Sequence, residues 1–266
     1  IELLDGARQA AKSVPGANVG IAPHSLRAVT PETLQEVLAA CPGGPIHIHA
    51  AEQVQEVEDC VAWSGRRPVE WLLDHHDLDR RWCLIHSTHM TDDEAQRLAA
   101  SGAVAGLCPL TEGNLGDGIF NANAFLKAGG AFGVGTDSNI EITAPGELKQ
   151  LEYSQRLLHR ARNYTARSEG ESTGRRLYEG ALEGGARAMG QEIGGIAPGA
   201  RADFVVLDES HPDLEMPQGD GWLDALIFVT GHAGIKAVIA GGEILVENGR
   251  HRDADSIRRD YSAVLH

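Results

Sequence analysis

Five times along this chain a short apolar run breaks off into polar residues, and an amphipathic stretch follows. The runs are Val19-Gly20-Ile21-Ala22-Pro23, Pro45-Ile46-His47-Ile48-His49, Trp82-Cys83-Leu84-Ile85-His86, Ala103-Val104-Ala105-Gly106-Leu107-Cys108 and Ala131-Phe132-Gly133-Val134-Gly135. Continuous apolar runs of this length, separated by helices, are what a parallel sheet buried on both faces requires. The helical stretches carry their own signals. Thr30-Pro31-Glu32 sets a cap, a first-turn proline and an acid ahead of Leu34, Val37 and Leu38. Thr91-Asp92-Asp93-Glu94 has capping-box spacing before Ala95 and Leu98, and Gly102 marks that helix's end. Leu148, Leu151 and Leu158 mark one face of a longer helix, with Glu147, Lys149 and Arg156 expected in water. Ile1 to Ala11 also reads as a helix. The alternation places the chain in the α/β class.

The texture changes after about Gly190. Gly194-Gly195-Ile196-Ala197-Pro198-Gly199-Ala200 is turn-rich, Phe204-Val205-Val206-Leu207 reads as a strand, and two apolar runs flanking Gly241-Gly242 read as a hairpin. A small all-β layer is therefore expected beyond the α/β part. With 23 basic against 38 acidic residues the net charge is −15, which argues against nucleic acid as a partner while leaving room for a local basic pocket that takes a small acid. The apolar runs fall well short of a membrane span, so no membrane association is expected. Cys41, Cys60, Cys83 and Cys108 form no C-x-x-C pair, and no secretory signal precedes them. Reduced, buried thiols in a cytoplasmic protein are the expectation.

In parallel α/β folds the functional residues gather at the carboxyl ends of the strands. Directly after the five runs come His24 with Ser25 and Arg27, His49 with Glu52, His86 with His89, Thr111 with Glu112 and Asn114, and Asp137 with Ser138 and Asn139. Ligand-type residues at the same end of every strand point to one convergent site. His47 and His49 share a strand face, His49 at the mouth and His47 a layer deeper. His49 is placed to bind a metal, with the Glu52 carboxylate beside the same ion. His47 reads as a hydrogen-bonded residue inside the layer in preference to a ligand. His86 is either a buried polar residue ending its strand or part of the site, and Asp137 either caps the next helix or joins it. Arg27 is a candidate for holding a substrate carboxylate, or else a surface arginine paired with a helix acid. Asn114 is a candidate substrate contact or a turn residue beside Gly113 and Gly116. The remaining histidines, His75, His76, His159, His211, His232, His251 and His266, read as surface residues, and His89 has no assigned role.

With these residues placed, the sequence resembles the metal-dependent amidohydrolase superfamily, and within it the N-formimidoyl-L-glutamate deiminases of histidine degradation. The resemblance is carried by His24-Ser25-Leu26-Arg27-Ala28-Val29, His47-Ile48-His49-Ala50-Ala51-Glu52-Gln53, Trp82-Cys83-Leu84-Ile85-His86-Ser87-Thr88-His89, Thr111-Glu112-Gly113-Asn114-Leu115-Gly116-Asp117-Gly118 and Gly135-Thr136-Asp137-Ser138. It covers nearly the whole chain. Gly195 to Asp208 resembles the passage from the superfamily's barrel into its β-sandwich. Single motifs are shared with guanine and other heterocycle aminohydrolases, and the His-Ser-Leu-Arg segment favours the formimidoyl-glutamate branch.

The resemblance implies a distorted (β/α)8 barrel with a small β-sandwich, the five runs standing as strands four to eight. Residues 1–192 would be the partial hydrolase barrel, 193–250 the carboxyl-terminal part of the sandwich, and 251–266 a helical tail. It implies one zinc ion held by His49 and Asp137, with Asp137 also accepting a proton. Glu52 and His86 would handle protons, and Arg27, His24 and Asn114 would bind a small acidic substrate. A homodimer is implied as well. The family takes two further ligands from an H-x-H on strand one, whereas the single H-x-H here, His47-Ile48-His49, belongs to a later strand. The expectation is therefore a chain without the first strands and without two of the zinc ligands, either a fragment of a longer enzyme or a truncated, inactive chain with an incomplete site.

Overall fold

The computed structural model describes residues 1–191 and 194–265. The expected boundary between residues 192 and 193, and His266, lie outside the described residues. The first part runs α1 (Glu2–Ala11), α2 (Pro31–Ala40), β1 (Ile46–Ala50), α3 (Val54–Ser64), α4 (Pro68–His75) and β2 (Trp82–His86). It continues through α5 (Asp92–Ser101), β3 (Val104–Leu107), α6 (Pro109–Leu115), α7 (Ala122–Lys127), β4 (Ala131–Val134), α8 (Ala144–His159) and α9 (Thr173–Ala188). There follow β5 (Phe204–Leu207), α10 (Gly221–Ala225), β6 (Ile235–Ala240), β7 (Glu243–Glu247), β8 (Arg250–His251) and α11 (Ala254–Leu265).

Strands β1 to β4 form a parallel sheet in sequence order, with Ile46 opposite Trp82, Cys83 opposite Val104 and Val104 opposite Ala131. One face carries Ile46, Ile48, Ala50, Leu84, Ala105, Leu107 and Phe132 into the main core, where helix residues such as Leu34, Leu72, Leu98 and Leu177 cover it. The first of the five runs is not a strand. It touches the β1 edge through two isolated parallel bridges, Ile21 to Ile46 and Ser25 to His49. Pro23 and Pro45 lie on the facing segments and have no N–H to donate, so a continuous ladder cannot form there.

The opposite face is smaller. Cys83, Val104 and Ala188 make a second buried cluster, with Ile85 and Ala131 packed against it. His47 lies on this face, where its Nε2–H donates to the Ala188 carbonyl at 2.8 Å. It thus ties the end of α9 to the sheet. Helix α9 approaches β4 closely because Gly184 has no side chain: a Cβ there would collide with the Phe132 carbonyl oxygen.

The helix ends follow the local signals. The Thr30 side chain accepts from Thr33 N–H at the start of α2, and Thr91 and Glu94 form a reciprocal capping box on α5 before left-handed Gly102. Helix α8 departs from its expected pattern. Leu148 and Leu151 are buried but Leu158 is 52% exposed, because the far end of the helix leaves the core. Glu147, expected in water, is fully buried, and its Oε2 accepts the Leu110 N–H at 2.9 Å. That N–H lies in the first turn of α6, where no intrahelical acceptor exists, so the acid is drawn inward to satisfy it. His76, expected at the surface, is half-buried between Trp71 and Trp82, with ring centroids 5.6 and 5.8 Å away. Burial lowers its pKa, with neighbouring His75 adding to the effect.

The second sheet is antiparallel in the order β5-β6-β7-β8. Gly241 and Gly242 turn β6 into β7 with φ of 59° and 85°, the positive values that a two-residue type I′ hairpin demands. Helix α11 contributes no buried residue. All four cysteines are buried and free. Among the described residues no helix is long and apolar enough to cross a membrane.

Candidate functional site

The carboxyl ends of β1, β2 and β4 and the turns after β3 meet around His86. This side chain is 1% exposed, and three carboxylates face it. Its Nδ1 lies 3.2 Å from Glu112 Oε1, and its Nε2 lies 3.6 Å from Glu52 Oε1 and 4.0 Å from Asp137 Oδ2. Burial alone would pull the imidazole pKa down. The Glu112 hydrogen bond and the charges of Glu52, Glu112 and Asp137 outweigh burial and raise it above the usual value of 6.5.

A line of rings runs outward from His86. His49 stacks on it at 5.5 Å between centroids, and His24 follows His49 at 4.9 Å. The His49 Nδ1–H donates to the His24 carbonyl at 2.8 Å, which leaves Nε2 as a free lone-pair donor. His24 itself is exposed, with its Nδ1 2.9 Å from the Ser25 hydroxyl. Arg27 donates to Glu52 at 3.3 Å and lies 3.9 Å from Glu56. Glu56 is buried because its two oxygens accept the Ala51 and Glu52 N–H groups at 3.0 and 2.9 Å, fixing the loop that carries Glu52.

Backbone conformation marks the same end of the sheet. Ala51, His86, Ser87 and Asp137 have φ of 55°, 68°, 52° and 41°, left-handed values costly for residues with a Cβ. These four positions lie where β1, β2 and β4 hand over to their loops. Of the four, His86 and Asp137 carry side chains of the cluster.

Of the residues singled out from sequence, His24, Arg27, His49, Glu52, His86 and Asp137 are brought together. Asn114 is not: it sits exposed on α6, and among the described residues it has no hydrogen bond to this group. His89 donates from Nε2 to the Asp117 carbonyl at 2.8 Å and serves the loop. Sequence reading gave no role to Glu112 or Cys108. Glu112 was visible in the Thr111-Glu112 segment at a strand end, but its partner His86 stands twenty-six positions earlier.

The donor chemistry fits part of a zinc site. His49 offers a lone pair and Asp137 a carboxylate, whereas zinc generally takes three or four protein ligands. His86, Cys108 and Asp137 also present donor atoms within 4.8 Å of one another. Burial, reinforced by the charges of Glu112 and Asp137, pushes the Cys108 thiol pKa well up and keeps it protonated, which makes it the poorer ligand. His49, held by its carbonyl contact with Nε2 free, is the better prepared.

Comparison with known proteins places this arrangement. The chain is 47% identical over its whole length to formimidoylglutamate deiminase of Pseudomonas aeruginosa, of which it spans 58%. It is 34% identical to 5-methylthioadenosine/S-adenosylhomocysteine deaminase of Halobacterium salinarum, over 91% of this chain and 54% of the relative. Its structure matches that of an amidohydrolase from Brucella melitensis with a TM-score of 0.95 and 54% identity, covering 99% of this chain and 58% of the other. An adenosine deaminase from Xanthomonas campestris, solved with bound zinc, shares the fold with a TM-score of 0.85 at 23% identity, over 99% of this chain and 60% of that one. The chain thus spans little more than half the length of these relatives. A family model described as the amidohydrolase family matches residues 2–245, and the chain belongs to that family.

Proposed function

We propose that this chain supplies strands five to eight of a (β/α)8 barrel, with the first apolar run along their edge in the place of strand four, and most of the active site of a zinc-dependent deiminase. Its reaction would be hydrolysis of N-formimidoyl-L-glutamate to N-formyl-L-glutamate and ammonia, in histidine degradation. The observation that carries the reading is Arg27. A guanidinium stands beside Glu52 at the mouth of the histidine and carboxylate cluster, in a protein of net charge −15. A cation in that position is suited to a substrate that brings its own carboxylates.

His49 Nε2 and Asp137 would be two of the zinc ligands, the others falling to groups beyond these residues. Zinc bound there would supply a Lewis acid and bring the pKa of water toward about 7. The Asp137 carboxylate takes a proton from water as its oxygen adds to the formimidoyl carbon. Glu52 gives one proton to the imine nitrogen and a second to the departing amine. It is reprotonated by the two that water supplies, one by way of Asp137 and one from the hydroxyl of the tetrahedral carbon as it becomes the carbonyl and the C–N bond breaks. His86, with Nε2 turned toward Glu52 and Asp137, orients the water or, when protonated, steadies charge at the tetrahedral carbon. Arg27 exchanges Glu52 for a substrate carboxylate, and His24 lines the same mouth. Asn114 would reach substrate only from its exposed place on α6. The enzyme would work in the cytoplasm, as a homodimer.

Ammonia release from N-formimidoyl-L-glutamate, compared with an uncharged formamidine and with a purine nucleoside, tests the assignment. Turnover should be fast on the acidic amidine and poor but measurable on the uncharged formamidine. Arg27→Met should raise KM for that substrate about tenfold or more and leave the uncharged formamidine nearly unaffected, because only the former has a carboxylate to lose. Preference for the nucleoside, or equal losses on both amidines, would overturn the reading.

A further inference from the structure

We infer that Glu112 is the positioning residue for His86, holding its ring in the tautomer that presents Nε2 to the reacting centre. Three observations carry this. Glu112 is 3% exposed and lies 3.2 Å from His86 Nδ1. The same oxygen, Oε1, also accepts the Cys108 N–H at 3.0 Å. The other ring nitrogen lies 3.6 Å from Glu52 Oε1 and 4.0 Å from Asp137 Oδ2, on the side of the proposed reacting centre.

The shared oxygen matters. A backbone N–H can only donate, so the atom pinned at 3.0 Å from Cys108 N must be an acceptor, and it can meet His86 Nδ1 only if Nδ1 carries a proton. The ring is thereby fixed as the Nδ1–H tautomer with its lone pair on Nε2, aimed at Glu52 and Asp137. Cys108 starts α6 and Glu112 lies one turn on, so a single carboxylate caps the helix after β3 and orients the histidine that ends β2. An Nε2–H ring would leave the pinned Glu112 oxygen facing a lone pair at 3.2 Å, whereas the carboxylates on the Nε2 side stand beyond hydrogen-bond distance, at 3.6 and 4.0 Å.

The catalytic consequence rests on the deiminase reading, but the tautomer is measurable without it. The experiment is 15N NMR of histidine-labelled full chain at alkaline pH, where the ring is neutral, with the His86 resonances assigned by their loss in His86→Gln. Wild type should show a protonated Nδ1 and an unprotonated Nε2. Glu112→Gln should keep that pattern, because its amide oxygen stays pinned by the Cys108 N–H. Glu112→Met should lose it, giving mixed tautomers. An unprotonated Nδ1 in wild type overturns the proposal whether or not the methionine variant folds. Unchanged tautomers in a folded Glu112→Met chain overturn it too, and would leave Glu112 as a helix cap alone. In active enzyme, Glu112→Met should lower kcat about 10- to 100-fold with KM little changed, and Glu112→Gln should retain most of it. Lack of ammonia release by every form would remove the deiminase reading and leave the tautomer result standing.

Discussion

The two sheets of this molecule were written with similar apolar residues but do different things with them. In the parallel sheet, Ile46, Ile48, Leu84, Leu107 and Phe132 are all nearly inaccessible to solvent, covered by the helices that connect the strands. In the antiparallel sheet, Phe204, Val205, Val206 and Ile244 are 37%, 45%, 41% and 55% exposed. A βαβ connection brings its own cover with each strand, so β1 to β4 bury both faces by local chain logic. A hairpin brings none, and β5 to β8 depend on whatever else lies against them. Rigidity therefore belongs to the first sheet, and so does the cluster of histidines and carboxylates at its carboxyl end.

Substitutions can break that contrast. The largest effect on stability is expected at Phe132, which is 1% exposed in β4 with its ring against Gly180 of α9. Phe132→Ala should cost about 3–5 kcal/mol in denaturant unfolding, the range for losing a buried phenylalanine. A loss under about 1 kcal/mol would show that β4 is not core.

Next comes Glu147, whose pKa is raised to about 7 from 4.5, chiefly by burial, with Glu112, Glu141 and Asp137 adding to it against the Leu110 N–H. A carboxyl whose folded pKa lies above its unfolded value contributes stability that is fully present below pH 4.5 and lost as pH rises through about 7. Glu147→Gln keeps an acceptor for Leu110 and cannot ionise. It should therefore be the more stable form at pH 8, by up to about 3 kcal/mol, with the gap closing toward pH 4. A difference independent of pH would mean that Glu147 is not buried as described.

The smallest effect is expected in the second sheet. Phe204→Ala should cost no more than about 1 kcal/mol, because a third of the ring already meets water. A loss as large as that at Phe132 would erase the distinction between the sheets.

The same contrast explains what could be seen in the sequence. Four of the five apolar runs are strands, and Thr30, Thr91, Glu94 and Gly102 mark helix ends, because these signals lie within a few residues of what they control. The first run failed because its pairing depends on Pro45, twenty-odd residues away, as much as on its own apolar character. Buried acids were the other blind spot. Glu56, Glu112, Glu147 and Glu152 each accept backbone N–H groups inside the fold, whereas the sequence reading sends Glu147 to water and sees Glu112 only as a polar residue at a strand end. The nearest of these partners lies four residues away and the farthest thirty-seven, so no window along the chain reveals them all. The convergence of His24, Arg27, His49, Glu52, His86 and Asp137 was legible, since strand ends in a parallel sheet are neighbours by construction. Asn114 has the right place in sequence and an exposed place in the structure, because α6 turns it away.

In the proposed function the polar end of the parallel sheet is a hydrolytic site in which Glu52 moves protons to the substrate nitrogen. The direct measurement is kcat for ammonia release from N-formimidoyl-L-glutamate by zinc-loaded enzyme carrying Glu52→Gln, with zinc content determined on the same sample. Zinc should be unchanged and kcat lower by about 10²-fold or more, the loss expected for a general acid and base. Full turnover with unchanged zinc would remove Glu52 from the reaction.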